Sequence, residues 1–212
     1  TLERIAARQG YAITGQEEAI FDYFGALRTL NGPDGLLVDI GGGSTELVLF
    51  HDRQVTSACS LPMGSLNMYT RFVRDIIPTA DELRDISRHA ESLLKKVEFP
   101  AERDCIPALY GVGGTCRASC SLNDELYGDQ SGYGGYPCKR IHKMLKRLKT
   151  DRRELLSAIV KTAPDRLHTL LPGLAILEAV ANRYQCRSFA ASPYGVREGY
   201  LMYMLEEESR HD

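Results

Sequence analysis

The sequence lacks three things: a Cys-x-x-Cys pair, an apolar run near the roughly 20 residues that span a bilayer, and an excess of either charge. The short apolar runs and the absence of a secretory signal argue against a membrane partner, and we expect a cytoplasmic protein. No histidine stands near the six cysteines at zinc-finger spacing, which excludes the common zinc folds. Scattered thiols of this kind are typical of reduced core residues.

The charges are nearly balanced, with 26 Lys and Arg against 28 Asp and Glu, for a formal net charge of −2. Such a balance excludes a general attraction to nucleic acid, so a polyanion would need a local basic patch. One basic cluster exists, and it fits a solvated helix face as well as a polyanion channel: Lys139, Arg140, Lys143, Lys146 and Arg147. The chain of 212 residues, 43% of them hydrophobic, can bury the core of one large domain or two small ones.

Three consecutive glycines, Gly41, Gly42 and Gly43, join two apolar runs that are typical of strands. Because glycine has no Cβ, the backbone N–H groups of such a loop can approach an anion closely. A plain hairpin turn has the same composition. The segment is not a P-loop, since a glycine occupies the place of the lysine, and it is not a dinucleotide fingerprint, since Glu46 occupies the place of its last glycine.

The residues around these glycines favour phosphoryl chemistry over a plain turn. A carboxylate stands on each side, Asp39 and Glu46, and carboxylate oxygens are ligands for divalent cations. Ser44 and Thr45 follow the glycines directly, and their hydroxyls can donate to phosphate oxygens. The sequence therefore predicts either a phosphate loop with a cation beside it or a turn.

A second glycine-rich segment also indicates phosphate binding. Gly113, Gly114 and Thr115 follow a short apolar strand and precede a helix that we predict from Cys116. The N-terminus of a helix offers unpaired N–H donors and a partial positive charge, which suit a phosphate. Arg117, in the first turn, would add a charge-assisted donor. A simple strand-to-helix turn is the alternative for this segment considered alone.

A third segment offers adjacent carboxylates at the start of a helix. Thr14 and Glu17 have the spacing of a capping box, which explains Glu17. Glu18 points about 100° further around the helix and has no such explanation. It is either a solvated surface charge or a general base that orients an attacking water.

The periodicity and the turn residues predict an α/β protein with a mixed sheet flanked by helices. In chain order, we predict a short helix over 2–8, a strand over 11–13, a helix over 16–30, an antiparallel meander of strands over 36–40, 46–50 and 54–60, helices over 65–74 and 80–97, a strand over 108–112, a helix from 116, an irregular excursion over 123–137, helices over 139–148, 152–161 and 166–184, a strand over 187–191 and a helix over 196–207.

Taken together, six segments resemble the exopolyphosphatase and guanosine pentaphosphate phosphatase (Ppx/GppA) family, and they occur in that family's order. They are 14–19 (TGQEEA), 39–46 (DIGGGSTE), 62–65 (PMGS), 111–115 (GVGGT), 171–177 (LPGLAIL) and 195–199 (GVREG). The resemblance implies a ribonuclease-H-like lobe of the superfamily that contains actin-like ATPases and sugar kinases. It also implies magnesium-dependent hydrolysis of a terminal phosphoanhydride in inorganic polyphosphate or guanosine pentaphosphate.

The resemblance further implies roles for the residues discussed above. Glu18 would be the base for water, and Asp39 and Glu46 would hold the metal. The phosphate-binding residues would be Gly41, Gly42, Gly43, Ser44, Thr45, Gly113, Gly114, Thr115 and Arg117.

The chain also departs from the family pattern. Family members begin with another lobe that carries its own Asp-Ile-Gly-type loop, whereas the only Asp-Ile-Gly here begins at Asp39. We therefore expect residues 1–212 to form a single lobe with one wall of the cleft, to need the missing N-terminal lobe as a partner and to be weakly active or inactive alone. A non-catalytic regulatory module that binds nucleotide or polyphosphate, and a kinase-like transferase, are the alternatives. Oligomeric state, including a homodimer, is left open.

Overall fold

The computed structural model describes residues 13–99 and 106–211, with residues 206–211 described by their backbone alone. The predicted helix over 2–8 lies outside these ranges, as do the first two residues of the predicted strand over 11–13. Cys105 is also outside them, and the other five cysteines are free thiols, as expected of reduced core residues. No helix in the described ranges is both long enough and apolar enough to cross a membrane.

A six-stranded mixed sheet lies at the centre of the fold. Its strands are β1 (Gly35–Ile40), β2 (Thr45–His51), β3 (Gln54–Leu61), β4 (Ala108–Val112), β5 (Tyr136–Pro137) and β6 (Ser188–Ala191). Their spatial order is β3-β2-β1-β4-β6-β5. The three strands of the meander pair antiparallel, β4 is parallel to β1, β6 is parallel to β4, and β5 is antiparallel to β6 at the edge.

Eight helices in the described ranges flank the sheet. They are α1 (Gly15–Ala26), α2 (Ser65–Phe72), α3 (Ala80–Leu94), α4 (Gly113–Tyr127), α5 (Lys139–Thr150), α6 (Arg152–Thr162), α7 (Leu170–Arg183) and α8 (Val196–His211). Short 3₁₀ turns cover Leu27–Thr29, Gly132–Gly134 and Pro164–Arg166. The predicted α/β class, with a mixed sheet between helices, is confirmed.

The predicted capping box is present at the start of α1. The backbone N–H and the hydroxyl of Thr14 both contact the Glu17 carboxylate, at 2.7 and 2.9 Å, and the Glu17 N–H donates to the Thr14 hydroxyl at 3.3 Å. The meander also forms as predicted, with strand ends that differ from the prediction by no more than one residue.

Several predicted helix ends differ from the structure: α1 ends at Ala26 rather than 30, α3 at Leu94 rather than 97, and α8 at His211 rather than 207. Three further differences have a visible local cause. Helix α4 begins at Gly113 rather than Cys116, because Gly113 adopts a φ of +81° and lets the chain enter the helix directly from β4. The predicted excursion over 123–137 starts inside α4, which continues to Tyr127 and ends at Gly128 with φ +69°. Helix α7 begins at Leu170 rather than 166, because a 3₁₀ turn occupies the residues before it.

The two faces of the sheet carry cores of different size. Along β1, Leu36, Val38 and Ile40 point into the larger core, whereas Leu37 points into a smaller one beneath α1. Successive side chains of a strand alternate between faces, so Asp39 lies on the same face as Leu37. Near the end of β1, the carboxylate of Asp39 therefore lies beside the smaller core and faces α1.

Helix α8 closes this side of the molecule by packing closely on α1. A Cβ on Gly25 would lie 2.1 Å from the carbonyl oxygen of Gly195, and one on Gly199 would lie 1.8 Å from that of Phe21. Glycine at these positions thus permits backbone contact between the two helices. The approach presses the loop before α8 against α1.

Candidate functional site

Three carboxylates meet between α1 and the ends of β1 and β2. Asp39 and Glu46 are directly paired across the antiparallel ladder, so both point to the face that α1 covers. Glu18, in the first turn of α1, points down onto them. One oxygen from each of the three groups lies within 4.8 Å of the others. The structure therefore brings together the residues that the sequence proposed as base and as metal ligands.

Burial raises the pKa of both strand carboxylates. Glu46 is only 1% exposed; its pKa is raised chiefly by burial, with the charges of Glu18 and Asp39 adding to the effect. The Ser60 hydroxyl donates to Glu46 at 2.7 Å and opposes the shift. The pKa of Asp39 is likewise raised, first by burial, against the opposing charges of Arg117 and Arg166. The cluster thus holds more negative charge than its surroundings stabilise.

A fourth carboxyl group, Asp22, lies beneath the cluster. Its side chain is 0% exposed, and neither oxygen has a hydrogen-bond partner. Burial, followed by the charge of Asp39, raises the pKa of Asp22 to about 9. Burial next to Asp39 therefore favours the protonated form of Asp22, since two adjacent carboxylates in a buried site do not both ionise.

The first glycine loop turns its carbonyl groups away from the cluster. The Ser65 and Asn67 N–H groups, at the start of α2, donate to the carbonyls of Gly41 and Gly42 at 2.8 Å. In the described part of the chain, the N–H groups of Gly42, Gly43 and Ser44 donate to no protein acceptor. The loop consequently presents donors, on an exposed rim, to whatever lies beyond it.

Gly64 explains why α2 can bind this loop so closely. A Cβ at this position would lie 2.2 Å from the Gly42 carbonyl oxygen and 2.4 Å from the Gly43 nitrogen. Any other residue would push the helix away from the loop. The segment 62–65 (PMGS) therefore has a structural role: it lets α2 bind the carbonyl groups of the glycine loop, which leaves the N–H groups of the loop free.

The second glycine pair forms the first turn of α4, next to Asp39. A Cβ on Gly113 would lie 2.3 Å from Asp39 Oδ1, and one on Gly114 would lie 2.0 Å from a guanidinium nitrogen of Arg166. No side chain caps this helix N-terminus. The uncapped N–H groups, Arg117 and Arg166 together form a positive rim that faces the carboxylates.

Two hydroxyls that we expected to bind phosphate are committed to the fold. The Thr45 hydroxyl is fully buried and donates to the Met63 carbonyl, and the Thr115 hydroxyl donates to the Ile40 carbonyl at 3.0 Å. Both side chains therefore support the glycine loops from below. In this structure neither hydroxyl proton is directed toward a ligand, and the phosphate-binding role of these two residues remains a prediction.

Sequence reasoning missed two residues of this site, Asp22 and Arg166. Asp22 follows Glu18 by one helical turn, and that i, i+4 spacing on one face of α1 was a usable signal. Arg166 comes from the 3₁₀ turn before α7, and nothing in its local sequence connects it with Gly114. Only the packing of that turn against α4 places it there.

The donor set fits a hard divalent cation. All the ligands available from Glu18, Asp39 and Glu46 are carboxylate oxygens, and Mg²⁺ is usually held by one or two carboxylates together with waters and substrate phosphates. Burial raises the pKa of Asp39 and of Glu46, and the negative charge of Glu18 adds to the shift of each group. A cation at this position would offset that charge.

A comparison with known protein families identifies the sequence with one of them. The model of the Ppx/GppA phosphatase family matches residues 2–208, which is nearly the whole chain. This is the family that the six sequence segments indicated.

Solved structures agree in fold. A type II variant of the Ppx/GppA phosphatase from Aquifex aeolicus is 25% identical with a TM-score of 0.69, and the match covers 89% of this chain and 63% of that one. An exopolyphosphatase-like protein is 25% identical with a TM-score of 0.74, and the match covers 95% of this chain and 70% of that one. An exopolyphosphatase from Cytophaga hutchinsonii, at 18% identity and a TM-score of 0.70, is similar in fold over 92% of this chain and 65% of that one. The chain thus spans 63% to 70% of the length of these three proteins.

Proposed function

This chain belongs to the Ppx/GppA phosphatase family, and we propose that it forms one wall of the active site of a phosphoanhydride hydrolase. The substrate class is a terminal phosphoanhydride, in inorganic polyphosphate or guanosine pentaphosphate. The observation that carries the proposal is the position of the carboxylate cluster between two N–H-rich glycine turns. Hydrolysis of such a bond requires positioning and charge neutralisation more than covalent chemistry by the protein.

Each group of residues in and around the carboxylate cluster has a role in this proposal. The free N–H groups of Gly42, Gly43 and Ser44 and the uncapped first turn of α4 bind phosphate oxygens. Arg117 and Arg166 neutralise charge on the transferred group. Asp39 and Glu46 hold a divalent cation, which when bound offsets the negative charge of both the carboxylates and the phosphates.

Glu18 is the proposed general base. It is half-buried and is the member of the cluster that comes from a helix rather than from the sheet, so it faces the strand carboxylates across the site. From there it can orient a water in line with the bond to the leaving oxygen. The alternative, a regulatory module that binds the same ligand without hydrolysing it, requires no base at this position.

We further propose that residues 1–212 are a single lobe and that a second, N-terminal lobe completes the cleft. Apolar side chains on α1 and α8 support a missing neighbour: Phe24, Tyr200, Leu201 and Tyr203 are 37%, 44%, 59% and 42% exposed. Tyr200 and Tyr203 both pack on Phe21 of α1, and contiguous exposed apolar groups are typical of interaction surfaces. Alone, the chain should hydrolyse polyphosphate weakly or not at all.

The test is Glu18→Gln in the full-length protein, with phosphate release and polyphosphate binding measured separately. Loss of a general base typically lowers the rate by about 10² to 10⁴-fold, and we expect binding to remain within about threefold. The matched control is Glu17→Gln, since the neighbouring carboxylate serves the capping box, where glutamine also functions. Unchanged hydrolysis by Glu18→Gln would contradict the proposed base, and absence of hydrolysis by the wild-type full-length protein would favour the regulatory module.

A further inference from the structure

Helix α5 concentrates positive charge in a chain whose total charge is slightly negative. Six of its 12 residues are lysine or arginine and none is acidic, whereas the whole chain has a formal net charge of −2. The sequence left open whether this charge belongs to a solvated helix face or binds a polyanion. The contacts of α5 separate its basic side chains into two sets.

The first set is committed to the fold. Arg140 forms an ion pair with Asp129, and its guanidinium lies 4.5 Å from the centre of the Tyr127 ring. Arg147 lies over the same ring at 5.5 Å, and it forms an ion pair with Glu154 at 2.8 Å. These two arginines therefore hold α5 against the end of α4, and they occupy two of the carboxylates that lie close to α5.

The second set consists of exposed lysines that have no acidic partner. In the part of the chain that the structure describes, their ammonium groups form neither a hydrogen bond nor an ion pair: Lys139, Lys143, Lys146 and Lys149. Steps of four, three and three residues place them along one face of the helix, over a length of about 15 Å. We call this row the lysine strip.

The lysine strip destabilises its own helix. Like charges three or four residues apart on a helix repel one another. Neighbouring carboxylates do not relieve the repulsion, because they pair instead with Arg140, Arg147 and His142. Arg152 and Arg153 follow directly at the start of α6, and both are exposed and without a partner among the described residues. An anion bound along the strip would offset this repulsion.

The chemistry of the strip favours a polyanion that has neither bases nor acyl chains. Lysine is a compact point charge that suits a repeating charged backbone, whereas bidentate recognition of a single phosphate uses arginine. No large apolar side chain of α5 is exposed on which a base could stack. The apolar side chains of α5 are buried in the core, so they are not available to enter a membrane: Ile141, Met144 and Leu148. Inorganic polyphosphate has the required properties.

We propose that the lysine strip binds the chain of inorganic polyphosphate at a distance from the bond that is hydrolysed. The inference rests on the proposed function and names the polymer as the substrate class of that site. Helix α4 begins with Gly113 beside the carboxylate cluster and ends with Tyr127, which contacts Arg140 of α5. Its 15 residues span about 20 Å. The strip and the cluster are therefore far apart, and only a long chain reaches both.

The first test measures binding of long-chain polyphosphate to the full-length protein by calorimetry. A chelator is present, so that no cation bridges the polymer and the protein. Lys143→Gln/Lys146→Gln removes two neighbouring charges, and we expect binding to weaken by about tenfold or more. The slope of log affinity against log salt concentration should become shallower by about 1.4, since each phosphate contact contributes about 0.7 in a single-stranded polyanion.

The matched control is Arg84→Gln/Arg88→Gln on α3. It also removes two exposed positive charges, but each of these arginines is already paired with an aspartate of the same helix. We expect the control to bind polyphosphate within about twofold of wild type, because a cation that is already paired releases little when it meets a phosphate.

The length of the substrate provides a second readout. With long-chain polyphosphate, we expect the variant Lys143→Gln/Lys146→Gln to have a raised KM and an unchanged kcat, because the strip holds the polymer but does not touch the reacting phosphate. Tripolyphosphate is too short to reach from the cluster to the strip. Its KM and kcat should therefore be those of wild type.

The outcomes separate this inference from the function on which it rests. Wild-type affinity for long-chain polyphosphate in the lysine variant would overturn the inference and leave the proposed hydrolysis intact. An equal loss with tripolyphosphate would also overturn it, because the variant would then act on the hydrolytic site. If wild type bound a single-stranded oligonucleotide of equal charge as tightly as polyphosphate, the strip would be assigned to nucleic acid instead.

Strip-dependent binding of polyphosphate without any hydrolysis by wild type would support the lysine strip and contradict the proposed hydrolase. Thermal unfolding verifies that the lysine variant is folded. We expect it to be at least as stable as wild type, because the substitutions remove repulsion between neighbouring charges of one helix.

Discussion

The two ends of the β1–β2 ladder each carry a cluster of groups that could hold a metal ion, and they differ in almost everything else. At one end are Glu18, Asp39 and Glu46, and at the other are Asp34, His51 and Asp52. In both, the ligand atoms lie within 4.8 Å of one another. Proximity of acidic groups alone therefore does not distinguish a functional site from a surface turn.

Burial and hydrogen bonding do distinguish them. The side chain of Asp52 is 76% exposed, and that of His51 is 48% exposed. Asp34 contacts the His51 ring and accepts the Asp52 N–H at 3.0 Å, so the cluster stabilises its own turn. At the opposite end Glu46 is buried and Glu18 and Asp39 are half-buried, and free N–H donors and two arginines border the cluster. The candidate site is therefore distinguished from the surface turn by carboxylates whose charge is poorly solvated and that lie next to free N–H donors.

The largest expected effect concerns pH. Asp22, Asp39 and Glu46 all have a raised pKa in the folded chain, so between the unfolded and folded pKa values the folded state binds more protons. Stability is then greatest below the unfolded pKa and is lost as the pH rises. For one such group the loss is about 1.4 kcal/mol per pH unit at most.

Urea unfolding with a chelator present, at several pH values from 5 to 8, measures this slope. Asp22→Asn should flatten it, because the pKa of Asp22 rises to about 9 and this group spans the whole range. Asp52→Asn, at the exposed end, should keep the wild-type slope. A wild-type stability that is constant or increases over this range would contradict the account of the buried cluster.

The next prediction compares two glycines with positive φ, Gly113 at the start of α4 and Gly128 directly after its end. Gly113→Ala places a methyl group against Asp39, whereas Gly128→Ala meets nothing within 4 Å. Backbone strain alone should cost about 1 kcal/mol in Gly128→Ala. The added clash should raise the cost to about 3 kcal/mol in Gly113→Ala and weaken the binding of Mn²⁺, used as a probe of the cation site. Equal free energies of unfolding for the two variants would show that Asp39 is free to move away.

The smallest effect lies at the exposed end. Arg53 adopts a φ of +58° in the β2–β3 turn, directly after Asp52 at +48°, a conformation that favours glycine. Arg53→Gly should relieve strain and stabilise the chain by about 0.5 kcal/mol, with no change in Mn²⁺ affinity. Urea unfolding and a Mn²⁺ titration measure both quantities. Weaker Mn²⁺ binding would mean either that Mn²⁺ also binds at the exposed cluster of Asp34, His51 and Asp52 or that the two ends of the ladder are coupled.

Much of the fold followed from local patterns. The capping box at Thr14 and Glu17, and the turn chemistry that separates β1, β2 and β3, depend on residues close in sequence, and they formed where expected. The glycine pair at 113–114 was correctly placed after β4 but was predicted to lie outside the helix. Glycine usually weakens helices, and only the positive φ of Gly113 allows α4 to start there.

The sequence alone determined that Asp39 and Glu46 flank a glycine turn between two strands, because strand alternation and turn composition are local properties. Tertiary structure decided which groups surround them. Asp22 is buried because α8 packs on α1 through Gly25 and Gly199, and Arg166 reaches Gly114 because the turn before α7 packs on α4. These contacts depend on how closely two backbones approach, and no pattern within a single segment specifies that distance.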